Sequence, residues 1–293
     1  MSKALGTLLA EGAPTHIAVT PPGTWPDPWH VVTDIVHADA SSVVSGLLDR
    51  IPARGAGTWH RSWIAASRAV RHAIDARLAG EDELFEGKIA AELIERLPNG
   101  ALLHVGNSMP VRDLDTFGAA TVRPLAIACN RGVNGIDGVL STALGAAAVS
   151  REPVVLLVGD VSFLHDVGAL HLASSLELDV TVVVPNNDGG GVFSFLPHAR
   201  YGAISERVFG TPHGLRPSAI AESFGARAQV VTDWAGFRRA LEGAAGRRGL
   251  DLIEVPSDRA RNLALHESYV DTAREAMRAC DAGASTELAR GAA

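Results

Sequence analysis

Cysteine is nearly absent from this 293-residue sequence: Cys129 and Cys280 are the only two, far apart and outside any CxxC pattern. That argues against a disulfide framework or a cysteine-based zinc site, suits a reducing compartment, and leaves both thiols as packing residues. An excess of positive charge is missing too. With 33 acidic against 26 basic residues, a net charge of −7 and the signs interspersed, the chain carries no basic footprint for nucleic acid, so a small-molecule partner is expected. Long hydrophobic runs are also lacking. No stretch reaches the roughly 18 apolar residues of a membrane span. The opening "MSKALGTLLAEG" has one lysine and too short an apolar stretch for a secretory signal. The expectation is a soluble, cytoplasmic protein that is not transmembrane.

What is present is core material: 47% of residues are hydrophobic, and the length suits about two domains. Residues 2–10 read as a helix, "THIAVT" and "HVVTDIVHAD" as strands around a proline-rich turn, and "SSVVSGLLDRI" as a helix. Two strands before residue 56 are too few for a sheet covered on both faces. Residues 1–56 are therefore expected to complete an α/β domain whose beginning lies elsewhere, with "PARGAG" marking a boundary. Residues 57–82 read as a helical linker, and "LFEGKIAAELIERL" as a further helix stopped by "PNG".

From there to residue 280 strands and helices alternate. The strand candidates are "ALLHVG", "RPLAIAC", "PVVLLVG", "DVTVVVP", "RAQVV" and "LDLIEV", with helices starting near Asp137, Ser162, Pro217 and Asp233. Nearly continuous Val/Ile/Leu runs separated by helices predict an α/β fold, a doubly wound parallel sheet with helices on both faces. No internal repeat is visible, and residues 281–293 are expected to form a frayed tail.

In such a sheet, ligands sit outside the carboxyl ends of the strands. "VGD" closes one strand and "PNNDGGG" closes another, placing Asp160 and Asn187 at two such ends, 27 positions apart. That separation is about one crossover, so the two strands should be neighbours. A carboxylate and an amide carbonyl are hard oxygen donors suited to Mg²⁺ or Ca²⁺ and poorly to a soft metal; Mg²⁺ takes few protein ligands and is completed by phosphate oxygens and water. The pair therefore predicts a phosphorylated ligand bridged by metal. Gly159 lets backbone approach phosphate, Ser162 can cap the next helix, and Gly189 to Gly191 allow positive φ. Either motif alone could be an ordinary turn; together, in this context, they favour the metal reading.

A glycine-aspartate pair followed by that asparagine is similar to the metal and diphosphate motif of thiamine-diphosphate enzymes, although Val161 stands where most members have a second glycine. With "GNSMPVRD" (106–113), "NRGVNGIDG" (130–138), "GDVSFLHD" (159–166) and "NNDGGGVFSFLP" (186–197), the chain closely resembles the family of 2-succinyl-5-enolpyruvyl-6-hydroxy-3-cyclohexene-1-carboxylate synthases of menaquinone biosynthesis. The earlier "WPDPW" resembles that family's middle domain. Another thiamine-diphosphate decarboxylase or carboligase, and a cofactor-binding fragment or subunit without turnover, are the alternatives.

The resemblance implies roles residue by residue. Asp160, Asn187 and the Gly189 carbonyl would hold Mg²⁺ or Mn²⁺; Gly159 and Ser162 would hold the diphosphate of thiamine diphosphate; Ile136 would support the bent cofactor. Arg112 and Arg131, read as loop residues, would bind the carboxylates of 2-oxoglutarate and isochorismate, arginine being suited to bidentate carboxylate recognition, with Ser108 a nearby polar contact to substrate. Val192, Phe193 and Leu196 would line the reaction chamber and exclude water. The segment "HARYGAISERVFGTPHG" looks like a mobile cover. His165, His171, His198 and His213 have no HxxxH spacing or paired acid in sequence and are not assigned as general bases. In the family a glutamate from a pyrimidine-binding domain starts the reaction, and its reach into a neighbouring subunit makes a homodimer the smallest active unit. Glu83, Glu86 and Glu92 match no such motif and read as a solvated helix face. No catalytic residue is therefore assigned within this chain, and activity is expected only when the amino-terminal portion is supplied.

Overall fold

The computed structural model describes residues 3–291 apart from 13, 134 and 245, with side chains from residue 4 to residue 280. Residues 1–62 and 63–293 form two compact units. In the first, helix α1 (Lys3–Gly12) precedes strands β1 (Ile17–Thr20) and β2 (Asp34–His37), which pair in parallel with Ile17 opposite Asp34, and helix α2 (Ala40–Leu48) follows. Asp39 caps α2 by accepting the Ser42 N–H at 3.1 Å. The division between units falls inside helix α3 (Thr58–Ala79), past the glycine-rich stretch that marked it in the sequence. An Ala- and Arg-rich run with no internal Gly or Pro carries this helix straight through that point.

The second unit contains α4 (Glu86–Arg96), β3 (Leu102–Val105), α5 (Met109–Phe117), β4 (Ala126–Cys129), α6 (Val139–Val149), β5 (Val154–Leu157), α7 (Asp160–His165), α8 (Leu170–Ser175), β6 (Val180–Asn186), the short α9 (Ala203–Ser205), α10 (Pro217–Ser223), β7 (Arg227–Val230), α11 (Trp234–Ala244), β8 (Leu250–Pro256) and α12 (Arg259–Gly291). Its strands form one six-stranded sheet in the order β4-β3-β5-β6-β8-β7, every pair parallel. All six strand candidates are found. β5 and β6, which carry Asp160 and Asn187 at their ends, are neighbours as their separation predicted.

Alternating side chains of the central strands divide the core in two, as the strand period requires. Val155, Leu157, Val183, Ile253 and Val255 pack with Ile89 and Leu93 of α4, Phe237 of α11 and Tyr269 of α12. Val154, Leu156, Val182, Val184 and Leu252 pack on the opposite face with Leu140 and Ala143 of α6 and with Phe163 and Leu170. The order reverses between β3 and β5. Chain leaving β3 runs outward to β4, while chain entering β5 builds the other side, which opens a crevice at their carboxyl ends.

Three expectations need correction here. Helix α12 extends to Gly291 where a frayed tail was expected from residue 281; its Ala, Glu and Arg content favours helix, and residues 292 and 293 lie outside the described residues. Cys129 is exposed rather than packed, because β4 is an edge strand with three of its four residues exposed. Glu92 is buried rather than solvated. Its carboxylate accepts Arg238 Nε at 2.9 Å and is also paired with Arg238 Nη2 and Arg96 Nε, so α4 is tied to α11.

Burial pushes the Glu92 carboxyl up, but the hydrogen bonds and charges of Arg238 and Arg96 together outweigh burial and hold it below its ordinary value of 4.5. A carboxylate depressed in the folded state stabilises fully above its unfolded pKa and loses that contribution as pH falls through the folded value. Glu92→Gln is therefore expected to cost about 1.5–3 kcal/mol at pH 7, the usual range for hydrogen bonds to charged groups. Urea unfolding of wild type and variant should show that gap shrinking as pH drops below 4.5; a gap constant with pH would remove the ion pair from the account.

Candidate functional site

Four strand ends converge on the crevice. Asn107, Ser108, Met109 and Arg112 follow β3; Arg131 and Ile136 follow β4; Gly159, Asp160 and Ser162 follow β5; Asn187, Gly189, Val192 and Phe193 follow β6. These residues line a cavity of about 350 Å³, and Glu86 reaches it from the start of α4. Of the residues singled out in sequence, only Leu196 lies elsewhere: it lines an adjoining apolar pocket that shares Met109, Arg112 and Val192 with the first.

Asp160 is the first residue of α7 and is buried. Its Oδ1 accepts the Val161 N–H at 2.7 Å, and its Oδ2 accepts the Gly189 N–H at 2.9 Å. His213 completes the set. The Leu215 N–H donates to His213 Nδ1 at 3.0 Å, which leaves Nε2 to carry the proton and donate to Asp160 Oδ2 at 3.2 Å. Burial pushes the Asp160 carboxyl up, and these hydrogen bonds act against that rise.

Asn187 is buried as well. Its Nδ2 donates to Glu86 Oε1 at 2.8 Å, the Ser257 hydroxyl donates to the same oxygen at 2.7 Å, and Asn187 Oδ1 has no hydrogen-bond partner. The intervening loop is forced by backbone geometry. Asp188 has φ 59° and Gly189 φ 144°, and a Cβ on Gly189 would lie 1.9 Å from the Gly210 carbonyl oxygen. Asp188 Oδ1 accepts the N–H groups of His213 and Gly214 at 2.9 and 2.7 Å, and Gly210 O accepts the Gly190 N–H at 2.7 Å. The segment beyond Leu196 is thereby docked on the loop. Arg259 secures it from α12, donating to Gly210 O at 3.0 Å and pairing with Glu206.

The donor set fits a hard divalent cation. An orphaned buried amide oxygen costs about 1–3 kcal/mol when left unpaired, and a metal ion would use it. Among the described residues no group of three or more His, Cys, Asp or Glu could hold a metal. This set differs in kind, combining one carboxylate, one amide carbonyl and a backbone carbonyl. Gly159 gives a second observation: a Cβ there would meet nothing within 4 Å, so packing within the protein does not demand the glycine. Room kept beside Asp160 suits close backbone approach to a ligand.

Two positions differ from their sequence reading. Ser162 does not cap α7; Gly159 is the cap residue and makes no side-chain bond, while Ser162 sits buried in the first turn. Arg112 lies on α5 rather than in a loop, because Pro110 at the start of that helix suits it to begin immediately after the strand end. From α5, Arg112 Nη1 donates to the Ser108 carbonyl at 2.5 Å, and Arg131 Nη1 donates to Asn107 Oδ1 at 3.0 Å from the turn after β4.

Three contributors were missed. Asn107 is buried and joins two loops, donating to the carbonyls of Asn130 at 2.8 Å and Gly135 at 2.6 Å. Its place directly after β3 inside a quoted motif was the available signal. Glu86 is buried where a solvated face was expected, because its helix begins beneath the loops of β6 and β8. Burial, with the nearby charges of Asp113 and Asp160, pushes its carboxyl to about 7 against the opposing hydrogen bonds of Asn187 and Ser257. His213 had no sequence signal, since it reaches Asp160 across 53 positions.

A doubly wound parallel sheet with this oxygen-lined crevice defines a thiamine-diphosphate-binding module, and residues 120–255 match the family model described as thiamine pyrophosphate enzyme, C-terminal TPP binding domain. Curated 2-succinyl-5-enolpyruvyl-6-hydroxy-3-cyclohexene-1-carboxylate synthases are similar over most of the chain. That of Geobacillus kaustophilus is 43% identical over 86% of this chain and 44% of its own length. For Myxococcus xanthus the figures are 45%, 82% and 41%, and for Listeria monocytogenes 37%, 96% and 49%. An X-ray structure described as that of a "putative thiamin diphosphate-dependent enzyme" from Mycobacterium smegmatis shares the fold at 19% identity, TM-score 0.55, covering 83% of this chain and 44% of that one. The chain belongs to the 2-succinyl-5-enolpyruvyl-6-hydroxy-3-cyclohexene-1-carboxylate synthase family of thiamine-diphosphate enzymes. It spans about half the length of the curated relatives it matches.

Proposed function

We propose that this chain supplies the metal, diphosphate and substrate groups of a transferase that decarboxylates 2-oxoglutarate and adds the resulting four-carbon fragment to isochorismate. The product is 2-succinyl-5-enolpyruvyl-6-hydroxy-3-cyclohexene-1-carboxylate, for menaquinone. The observation that carries this reading is the buried, unpartnered Oδ1 of Asn187 beside Asp160 at the crevice of a chain in this family.

Asp160, Asn187 and the carbonyl of Gly189 would hold Mg²⁺ or Mn²⁺; that carbonyl already accepts the Gly191 N–H at 3.0 Å and retains a second lone pair. Gly159 and Ser162 would hold the diphosphate, with Ile136 against the body of the cofactor. When bound, thiamine diphosphate supplies the electron sink for loss of CO2. Arg112 and Arg131 each use one N–H for positioning and keep others for a substrate carboxylate, with Ser108 as a further polar contact. Val192 and Phe193, with Leu196 in the adjoining pocket, keep water from the reacting centre. Glu86 lines the cavity, but Asn187 and Ser257 engage it, so the glutamate that meets the aminopyrimidine is assigned to a domain outside these residues. Turnover then requires that domain, in a homodimer as the resemblance implies. Free thiols at Cys129 and Cys280 fit a reducing, cytoplasmic setting; no described helix is long and apolar enough to cross a membrane.

Calorimetric titration of the chain with thiamine diphosphate and Mg²⁺, then isochorismate turnover with and without a separately produced amino-terminal portion, tests the proposal. Metal-dependent binding with turnover only on mixing is expected. Binding without turnover on mixing leaves a non-catalytic module, and absence of binding sinks the site assignment.

Residues 198–214 are proposed to act as the cover. Arg200 and Arg207 are exposed there, so trypsin should cut the segment, and thiamine diphosphate with Mg²⁺ should slow cleavage several-fold. Equal cleavage rates would dismiss the cover.

A further inference from the structure

Glu86 is a buried carboxylate at the crevice, and the roles proposed above leave it unused. It lies on α4, away from the loops that carry the other groups, and its Oε1 receives both Asn187 Nδ2 at 2.8 Å and the Ser257 hydroxyl at 2.7 Å. The two ends of the Asn187 amide are almost the same size, so packing alone distinguishes them poorly; what distinguishes them is the partner. An oxygen of the ionised carboxylate accepts from the nitrogen end and has no proton to give the oxygen end. The neighbour that receives Nδ2 therefore turns Oδ1 the other way, where it is buried and without a partner. A flipped amide would aim N–H groups at the same place and repel a cation.

The carboxylate is itself firmly held. Phe85, next in sequence, is fully buried with its ring 5.1 Å from Phe117 edge-on, 5.1 Å from Tyr269 stacked and 4.8 Å from His266. A Cβ on Gly87 would meet the Phe117 ring at 2.4 Å, so α4 closely approaches that cluster on the other side of Glu86. Together these contacts fix where the acceptor stands.

We infer that Glu86 is a positioning residue that sets the amide orientation of Asn187, presenting its carbonyl oxygen to the divalent cation. The inference rests on the reading of Asp160 and Asn187 as cation ligands.

The test titrates the 293-residue chain with Mn²⁺ in the presence of thiamine diphosphate, reading free Mn²⁺ by electron paramagnetic resonance. Glu86→Met keeps the length and removes the acceptor, a change that buried sites often tolerate when a charge is replaced by a well-packed apolar group. It should weaken Mn²⁺ binding about 10- to 100-fold, the range for groups that orient metal ligands. Glu86→Gln keeps an acceptor oxygen for Asn187 and should stay within about threefold of wild type, well short of that range. In an Asn187→Asp background either carboxylate oxygen can face the cation, so adding Glu86→Met should cost nothing there. An equal loss in both backgrounds, a tenfold loss in Glu86→Gln, or no loss in Glu86→Met would each overturn the inference. Asp160→Ala separates the two levels. If it binds Mn²⁺ as wild type does, the ligand reading fails; if it loses binding while Glu86→Met does not, the orientation inference alone falls.

Discussion

Asp160→Ala should lower Mg²⁺-dependent binding of thiamine diphosphate at least about 100-fold, since even groups that merely orient a metal ligand are worth 10- to 100-fold. The carboxylate stands at the centre of three hydrogen bonds, from the Val161 and Gly189 amides and from His213. Removing it takes away the only anionic group in the proposed ligand set and releases the Gly189 loop at the same time. Stability should move little in the other direction. Burial already disfavours the charged form of Asp160, so alanine relieves a cost while forfeiting hydrogen bonds. Calorimetry in the presence and absence of Mg²⁺, with thermal unfolding alongside, reads both quantities. Retained metal-dependent affinity would move the cation elsewhere in the crevice.

Gly189→Ala carries the second large expected effect, and it should appear in folding as well as in binding. The added Cβ would sit 1.9 Å from the Gly210 carbonyl oxygen, a backbone atom that cannot swing aside, at a φ of 144° that residues with side chains rarely adopt. Relief requires the loop to part from the 198–214 segment, breaking the bond from Gly190 N–H to Gly210 O. A loss of about 2–4 kcal/mol in unfolding free energy is expected, the upper part of the range for single substitutions. Gly159→Ala is the contrast. Its Cβ would meet nothing within 4 Å and its φ is an ordinary −68°, so stability should stay within about 0.5 kcal/mol while the approach of diphosphate is obstructed. If both variants behave alike in urea unfolding, the backbone clash at Gly189 has been misjudged.

The sheet was legible in the sequence because its strands are buried on both faces and read as unbroken aliphatic runs. "PVVLLVG" and "DVTVVVP" leave little choice of structure, and the Asp160 to Asn187 separation gave their adjacency. Residues next to those strand ends were legible for the same reason. What was hidden depends on contacts between distant segments. Glu86 and Glu92 carry a hydrophilic signature, and nothing local indicates that Asn187, Ser257 and Arg238 await them. His213 meets Asp160 only because the 198–214 segment folds back over the loop. Helix α5 was taken for a loop because its nine residues are few for a periodic signal to accumulate.

The two sides of the crevice rest on unequal foundations. Asp160 and Asn187 follow β5 and β6, whose residues are buried almost throughout, whereas Arg131 follows β4, an edge strand exposed at three of its four positions. Local opening costs least where few apolar contacts are lost, so amide hydrogens of β4 should exchange with solvent well before those of β5. On the roles proposed for these residues, the metal side of the crevice is in effect an anvil and the carboxylate-binding side a looser jaw. Variation in the acids bound would then accumulate along β4 and the turn beyond it without disturbing the metal site.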